Sequence, residues 1–451
     1  MNFSIADLVI FGGKVWYRGE FTECAIVIDN GKIVKLCKEP LAPHSDLKLN
    51  VNGLLILPGL IDIHSHLRDF ELSYKEDFYT GTCAAASGGF TTVFDMPNTK
   101  PTTNSPMRLR EKIERIRSES VVNVGLYSAP PKSVKELVEL VNMGVAGFKV
   151  YLSEYGELNT DYCDYNFYNA CSNYNARIHF HAELRDLIEI STTTYELNVS
   201  NHHLIRPVKA EIEAINYIVN LKSIYKFKAH ICHISSSDSC ILISKLKSRA
   251  LNISVEVTPH HLILNNSFTS TLGNIAKVNP PLRTEYDRKM LIRLLNDGLV
   301  DCIVTDHSPH TLEEKLKNYC EAPSGFPNFE VTLPILLSRC LNGEFMFSHV
   351  ISAMSENPAK LINLKNKGKI EPGFDADLVI VNHKHEYVIN PEKFKSKARY
   401  SPFKGMKVKF QVFKTILGGF PIYDEGEILA GKGYGKFIEV GVKNDDFSKT
   451  S

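Results

Sequence analysis

Two hydrophobic rhythms run along this chain. From about Asp7 to Val51, short apolar runs are broken by turn residues. Asp7-Leu8-Val9-Ile10-Phe11, Gly12-Gly13 and Lys14-Val15-Trp16-Tyr17 predict one hairpin. Ala25 to Ile28, Asp29-Asn30-Gly31 and Lys32 to Leu36 predict a second, because an Asn-Gly pair favours a tight primed turn. From Leu54 the rhythm changes, and strand-like runs alternate with stretches of helical spacing. The strand candidates are Ile56–Ile63, Thr91–Met96, Val122–Ser128, Gly147–Leu152, Arg177–His181, Ala229–His233, Ile253–Val257 and Cys302–Thr305. Between them, Pro207 to Tyr225 predicts a helix, with Pro207 at its first position and Val208, Ile212, Ile215 and Val219 on one stripe. Ser237 to Ala250 predicts another, opened by Ser and Asp as caps. Gly368 to Gly435 returns to short strands, Asp377 to Val381 and Lys407 to Ile416, the second followed by Gly418-Gly419.

Strands that are each followed by a helix, eight times over, form the pattern of a (β/α)8 barrel. A doubly wound open sheet shares that local periodicity, and the polar residues at the strand ends decide between the two. The expected fold is α/β: a (β/α)8 TIM barrel over residues 54–365, with a small β-sandwich built from residues 1–53 and 366–436. Residues 437–451 are expected to form a polar, frayed tail.

Composition narrows the function classes. A length of 451 residues suits a large barrel plus a small accessory domain. A formal net charge of +1 gives no global pull toward nucleic acid or an anionic membrane. Ten scattered cysteines with no CxxC pair point to reduced thiols rather than a disulfide framework. The N-terminus lacks the basic region and cleavage site of a signal peptide, and no apolar run is long enough to span a bilayer. A soluble cytoplasmic protein is expected.

The chemistry gathers at the strand ends, where barrels carry their active sites. Leu57 to His66 reads LPGLIDIHSH; residues i and i+2 of a strand share a face, so His64 and His66 project together as half of a zinc site. The fourth strand, in GFKVYL, holds a lone lysine, Lys149, inside an apolar run. The fifth ends at His179-Phe180-His181, the sixth at His230-Ile231-Cys232-His233, and the eighth at Thr305-Asp306-His307-Ser308-Pro309-His310. An ammonium buried in a strand is costly, and a neutral amine can add carbon dioxide to give an anionic carbamate with two oxygens. Such a group can bridge two metals about 3.5–4 Å apart that share a hydroxide. Asp306 would bind one metal, take a proton from that hydroxide on attack and deliver it to a leaving nitrogen. His181 and His233 are favoured as ligands because each sits at a strand end. His179 is expected to be packed or to support a ligand, and His230 to face away.

These motifs resemble the dihydroorotase family of the amidohydrolase superfamily. HSHLRDFELSYKEDFYTGTCAAASGGFTTVFDMPNTKPTTN, from His64 to Asn104, carries the resemblance, and GFKVYL, HAE, ICHIS, VEVTPHH, NPPLR and TDHSPHTLEEK follow in the family's order. The resemblance implies the same barrel and sandwich, and reversible cyclisation of N-carbamoyl-L-aspartate to L-dihydroorotate and water in pyrimidine (UMP) synthesis. It implies two zinc ions per subunit held by His64, His66, His181, His233, Asp306 and Lys149, the last as N6-carboxylysine. It further implies that the substrate carboxylate meets Arg68, Asn98 and His310, and that Asn279 and the backbone from Pro323 to Gly325 touch the ring. Family habit and base rates imply a homodimer, with any aspartate transcarbamoylase partner left open. Many bacterial members carry aspartate where this chain has Lys149, which resembles the carboxylated-lysine branch. The mobile-loop Thr-Phe pair of the fusion enzymes is replaced by Ser153-Glu154-Tyr155-Gly156. His202, His203, His260 and His261 are expected to pack or to hydrogen-bond.

Two rivals remain. Allantoinases and hydantoinases share the metal ligands, but allantoinases show Pro-Leu-Asn where this chain has Pro97-Asn98-Thr99, and they lack the arginine of HLRD. A non-catalytic scaffold of the same fold would have lost ligands, and this chain keeps the set.

Overall fold

The computed structural model describes residues 6–154, 158 and 163–440. Tyr155 and Gly156, half of the segment compared with the fusion enzymes' loop, lie outside the described residues.

The barrel strands are β1 (Leu60–Ser65), β2 (Phe90–Asp95), β3 (Asn123–Leu126), β4 (Phe148–Tyr151), β5 (Arg177–His181), β6 (Lys228–Ile231), β7 (Ile253–Val257) and β8 (Cys302–Ile303). β1 to β3 form one parallel arc and β4 to β8 another. Bridges from Ser128 to Phe148 and from Ser65 to His307 join the arcs into a ring. Helices follow the strands on the outside, among them Phe78–Ser87 after β1, Val208–Tyr225 after β5 and Ser237–Ser248 after β6. The closed ring rules out the open doubly wound sheet.

Register places the chemistry in layers. Lys149 on β4 lies beside His179 on β5, which lies beside His230 on β6; one step toward the strand ends, Tyr151 lies beside His181. Lys149, His179 and His230 are all fully buried in the barrel interior.

The remaining strands form two sheets. One runs Lys32–Cys37, Ala25–Asp29, Ala6–Phe11, Ser45–Asn50 in spatial order. The other starts at Glu427–Ile428 and runs through Phe420–Asp424, Gln411–Leu417, Leu378–Asn382, Leu55–Pro58 and Lys14–Tyr17 to Glu20–Glu23. Ile10, Val15, Ile26, Ile56, Leu378 and Ile416 fill the space between them, so N- and C-terminal segments build one sandwich. The Asn30-Gly31 hairpin is present, with positive φ at both turn residues. The first predicted hairpin is not. At Gly12-Gly13 the chain crosses between sheets: Ala6–Phe11 pairs with Ala25–Asp29, while Lys14–Tyr17 pairs with Glu20–Glu23.

Three other expectations need correction. The run Ile56–Ile63 is two strands, one in each domain, broken at Gly59, where a Cβ would sit 2.5 Å from Thr91 Oγ1. Lys407 to Ile416 also breaks: Lys407–Val408 pairs with Tyr387–Val388, and Gln411–Leu417 joins the sandwich. Phe437 to Val440, expected to fray, docks on the barrel, with Ile438 N donating to Val124 O at 2.9 Å and Val440 N to Gly144 O at 2.9 Å.

The helix Val208–Tyr225 begins after Pro207, which caps it, and buries Ala210, Glu211, Ala214, Ile215 and Ile218. Its inward face is therefore turned away from the apolar stripe read from sequence. The cause is Glu211, whose carboxylate accepts from the backbone N–H groups of Ser235 and Ser236 and from the hydroxyls of Ser235, Ser236 and Ser239. A buried carboxylate so placed satisfies donors at the start of Ser237–Ser248 and favours its positive end. Among the described residues, no helix is long and apolar enough to cross a membrane.

Candidate metal centre and active site

A cavity of about 370 Å³ opens at the C-terminal ends of the barrel strands. His64, His66, His181, His233 and Asp306 line it, and so do Arg68, Asn98, Asn279, His310, Pro323 and Gly325. Lys149 does not line it and is buried beneath, with its Nζ 5.0 Å from the centre of the Tyr151 ring.

The ring nitrogens fall into two groups. His64 Nδ1 is bonded to Glu256 Oε1, which leaves Nε2 facing Asp306 Oδ1 at 3.6 Å. His66 Nδ1 donates to Asn98 Oδ1 at 2.7 Å, which leaves its Nε2 facing the same Asp306 oxygen at 3.2 Å. Both imidazoles give their proton to an outer acceptor, so two lone pairs converge on a carboxylate oxygen. In the second group, His181 Nε2 donates to Glu183 Oε2 at 2.8 Å, and its Nδ1 lies 3.1 Å from His233 Nε2. Burial, with Lys149 close by, pushes the His64 imidazole down to about 4, and burial holds His233 well below its usual range. The inward lone pairs of His64 and His66 face a carboxylate oxygen that repels them until a cation sits among them. Outer partners fix the tautomer of His64, His66 and His181, as at metal sites generally. The donor set therefore fits metal ions.

The layer beneath is also polar. Lys149 Nζ donates to Cys232 Sγ at 2.8 Å, and among the described residues no carboxylate lies within ion-pair distance of it. His230, expected to face away, points into the barrel: its Nε2 donates to Glu256 Oε2 at 2.8 Å and its Nδ1 meets Ser254 Oγ at 2.8 Å. Strict alternation fails here because β6 ends at Ile231, and His233 lies beyond it with φ of 32°. His179 packs with its ring centre 4.5 Å from Tyr127 and 4.6 Å from His230, and among the described residues neither of its nitrogens has a hydrogen-bond partner. Besides His64, His66 and Asp306, two further sets among the described residues could hold an ion: His64, Cys232 and Glu256, and His179, His230 and Cys232.

Arg68 dominates the other end of the cavity. Its Nε donates to Pro309 O at 3.1 Å and its Nη2 to Ser308 Oγ at 2.7 Å, and the same Nη2 lies 3.1 Å from His310 Nε2. Arg68 is 6% exposed, and among the described residues no carboxylate pairs with it. Burial, together with Arg68, holds His310 neutral, down to about 3. Asn98 uses its oxygen on His66, so it supports a ring as well as lining the cavity. Gly325 has φ of 118°, and a Cβ there would meet Ser308 at 2.7 Å, so only glycine lets the 323–325 backbone lie against the Arg68 corner. His261 spans Thr258 and Pro280 O, and His203 meets Asn266.

Sequence reasoning missed Glu256, Glu183, Cys232 and Tyr151. Glu256 had a readable signal, a lone carboxylate at alternating spacing inside Val255-Glu256-Val257, all buried on β7. Tyr151 stacks on His181 with ring centres 5.9 Å apart, and its buried hydroxyl has no partner among the described residues.

Residues 55–422 match the family described as Amidohydrolase family. The dihydroorotase of Methanosarcina acetivorans is 34% identical over 448 residues, which cover 96% of this chain and 95% of that protein. The dihydroorotase of Pyrococcus horikoshii is 36% identical over 434 residues, covering 96% and 95%. Among solved structures, the L-hydantoinase (dihydropyrimidinase) of Arthrobacter aurescens superposes with a TM-score of 0.92 at 25% identity, over 96% of this chain and 100% of that one. Matches of that length and identity settle the question of kinship: this chain belongs to the amidohydrolase family and groups with its dihydroorotases.

Proposed function

We propose that the protein is a dihydroorotase, a hydrolase of a cyclic amide that interconverts L-dihydroorotate plus water with N-carbamoyl-L-aspartate in pyrimidine synthesis. One observation carries the choice of substrate within the family. Arg68 is a buried guanidinium with no carboxylate partner among the described residues, its Nη1 makes no hydrogen bond among them, and the residue lines the cavity that holds the imidazole cluster. A buried unpaired cation is costly unless an anion arrives, and its fork suits a carboxylate. Dihydroorotate carries that carboxylate, whereas a simple hydantoin does not.

His64, His66 and Asp306 would hold one zinc ion, and His181 and His233 a second. Lys149 would supply a further ligand as N6-carboxylysine, for which a buried amine whose hydrogen-bond partner among the described residues is a thiol is a fitting precursor. When bound, such a pair lowers the pKa of water toward neutrality and polarises the ring carbonyl. The chain's own residues do the rest. Asp306 takes the proton of the attacking water as the new carbon–oxygen bond forms. It passes that proton to the ring nitrogen as the carbon–nitrogen bond breaks, which yields the ureido group and a free carboxylate. Arg68, with Asn98 and His310 beside it, holds the substrate carboxylate and so sets the ring against the reacting water. A cytoplasmic homodimer is the setting that the family resemblance suggests.

Turnover on dihydroorotate, allantoin and dihydrouracil, with metal content measured on the same sample, tests the reading. Preference for dihydroorotate is expected; preference for either of the others overturns it.

A further inference from the structure

His202 is a motif histidine that neither the metal centre nor the Arg68 corner uses. It is 4% exposed and opens the short helix His202–Ile205, beyond β5. Its Nε2 lies 3.0 Å from Val278 O and 2.9 Å from Asn279 Oδ1. Its Nδ1 lies 2.7 Å from the Tyr319 hydroxyl. A carbonyl oxygen only accepts, so Val278 fixes the proton on Nε2 and the lone pair on Nδ1. Tyr319 then donates to Nδ1, and Nε2–H donates to Asn279 Oδ1. Burial, with Arg206 and Lys277 nearby, holds His202 neutral, down to about 3, so this arrangement does not change across the physiological range.

The Asn279 oxygen also accepts from Ser324 Oγ at 3.0 Å. Both of its lone pairs are occupied, and a flip would turn an amide N–H against the His202 Nε2–H and lose that hydrogen bond, though the Ser324 hydroxyl could still accept. Its Nδ2 makes no protein hydrogen bond among the described residues, and Asn279 lines the cavity. Lys277 supports the same wall: its Nζ donates to Tyr319 O at 2.6 Å and Ala322 O at 2.7 Å, and lies 4.2 Å from the centre of the Tyr319 ring.

We infer that His202 is a positioning residue that locks the Asn279 amide with its N–H donors turned into the cavity, so that this wall selects a ring carbonyl oxygen. Loops that follow β5, β7 and β8 meet at this one amide. A ligand with a donor group at that position would face two further donors and leave them unpaired, the condition under which polar sites discriminate most.

The inference rests on the dihydroorotase reading, and its test separates the two. Kinetics of the metal-loaded enzyme are measured on dihydroorotate and on analogues with sulfur, a weaker acceptor, in place of each ring oxygen in turn. The wild type is expected to discriminate against sulfur at the position that Asn279 meets. His202→Ala should raise KM for dihydroorotate by about tenfold, with a smaller change in kcat, and should erase that one discrimination. Tyr319→Phe, which removes a single hydroxyl, should act in the same direction with smaller size. A purely structural role would lower kcat on every substrate alike and leave the sulfur ratios unchanged; that result overturns the inference. A wild type inactive on dihydroorotate overturns the functional reading instead. The orientation is then read from orotate affinity, which should fall about tenfold in His202→Ala and stay unchanged if the inference is wrong.

Discussion

Glu256 is the most exacting place to test the metal centre, because its carboxylate touches no cavity yet decides which nitrogen of His64 points inward. It accepts from His64 Nδ1, from His230 Nε2 at 2.8 Å and from His233 N at 3.2 Å. Glu256→Gln keeps the shape. The new amide nitrogen can face His230, which can shift its proton to Nδ1 and donate to Ser254 Oγ. The remaining oxygen still accepts from His64. Only the negative charge behind His64 is lost, and with it part of the ring's basicity. Changes to such outer partners cost about 10- to 100-fold in metal affinity. Glu256→Gln belongs at the lower end, about 1.4 kcal/mol. Glu256→Leu removes every acceptor, frees His64 to turn its protonated nitrogen inward and leaves buried donors unpaired. About 100-fold weaker zinc binding is expected, with about 1–3 kcal/mol lost from stability for each orphaned group. Chelator competition on folded protein gives the affinities, and thermal unfolding of the metal-free forms gives the stabilities. Zinc binding by Glu256→Leu at wild-type strength would refute the claim that this carboxylate sets the ligand nitrogen.

Two further outcomes follow from buried groups. Lys149→Ala should abolish turnover and lower zinc occupancy, with partial rescue by small carboxylic acids; wild-type turnover in that variant would show that Lys149 is no bridge. Burial pushes the Glu330 carboxyl up to about 8 from an ordinary 4.5, so between those pH values the unfolded chain releases a proton that the folded chain keeps, and stability falls as pH rises. Glu330→Gln removes that loss, so its advantage in thermal unfolding over the wild type should grow between pH 5 and pH 7.5 by up to ~1.4 kcal/mol per pH unit; an equal difference at both pH values would count against the raised carboxyl.

The barrel was legible because its strands are locally self-announcing. Arg177–His181 and Ile253–Val257 have the bounds that alternation and turn residues suggested. The sandwich was legible as strands but not as pairings. A glycine pair between two apolar runs looks the same whether it folds a hairpin or carries the chain from one sheet to another, as Gly12-Gly13 does. The start of the tail, Phe437 to Val440, was misread for a different reason, while residues 441–451 lie outside the described residues. Ile438 and Val440 alternate in a polar stretch, and their docking site beside Val124 and Gly144 lies some three hundred residues earlier in the chain.

The candidate site divides along the same line. Whether a side chain points into the barrel is largely a property of its own strand, and so His64 and His181 on their strands, and His66 and Asp306 just past the ends of theirs, could be singled out without a structure. Which nitrogen of each imidazole points inward is not. That is set for His64 by Glu256, 192 positions away, for His66 by Asn98, 32 away, and for His181 by Glu183, only 2 away. Alternation held for His179 and His181 because β5 runs to its last histidine; it failed for His230 and His233 because β6 stops between them. A strand pattern fixes direction, while the protonation of a donor belongs to its partner. The second kind of information enters only when distant segments close around the ring, which is why the supporting carboxylates escaped a reading that found the residues they support.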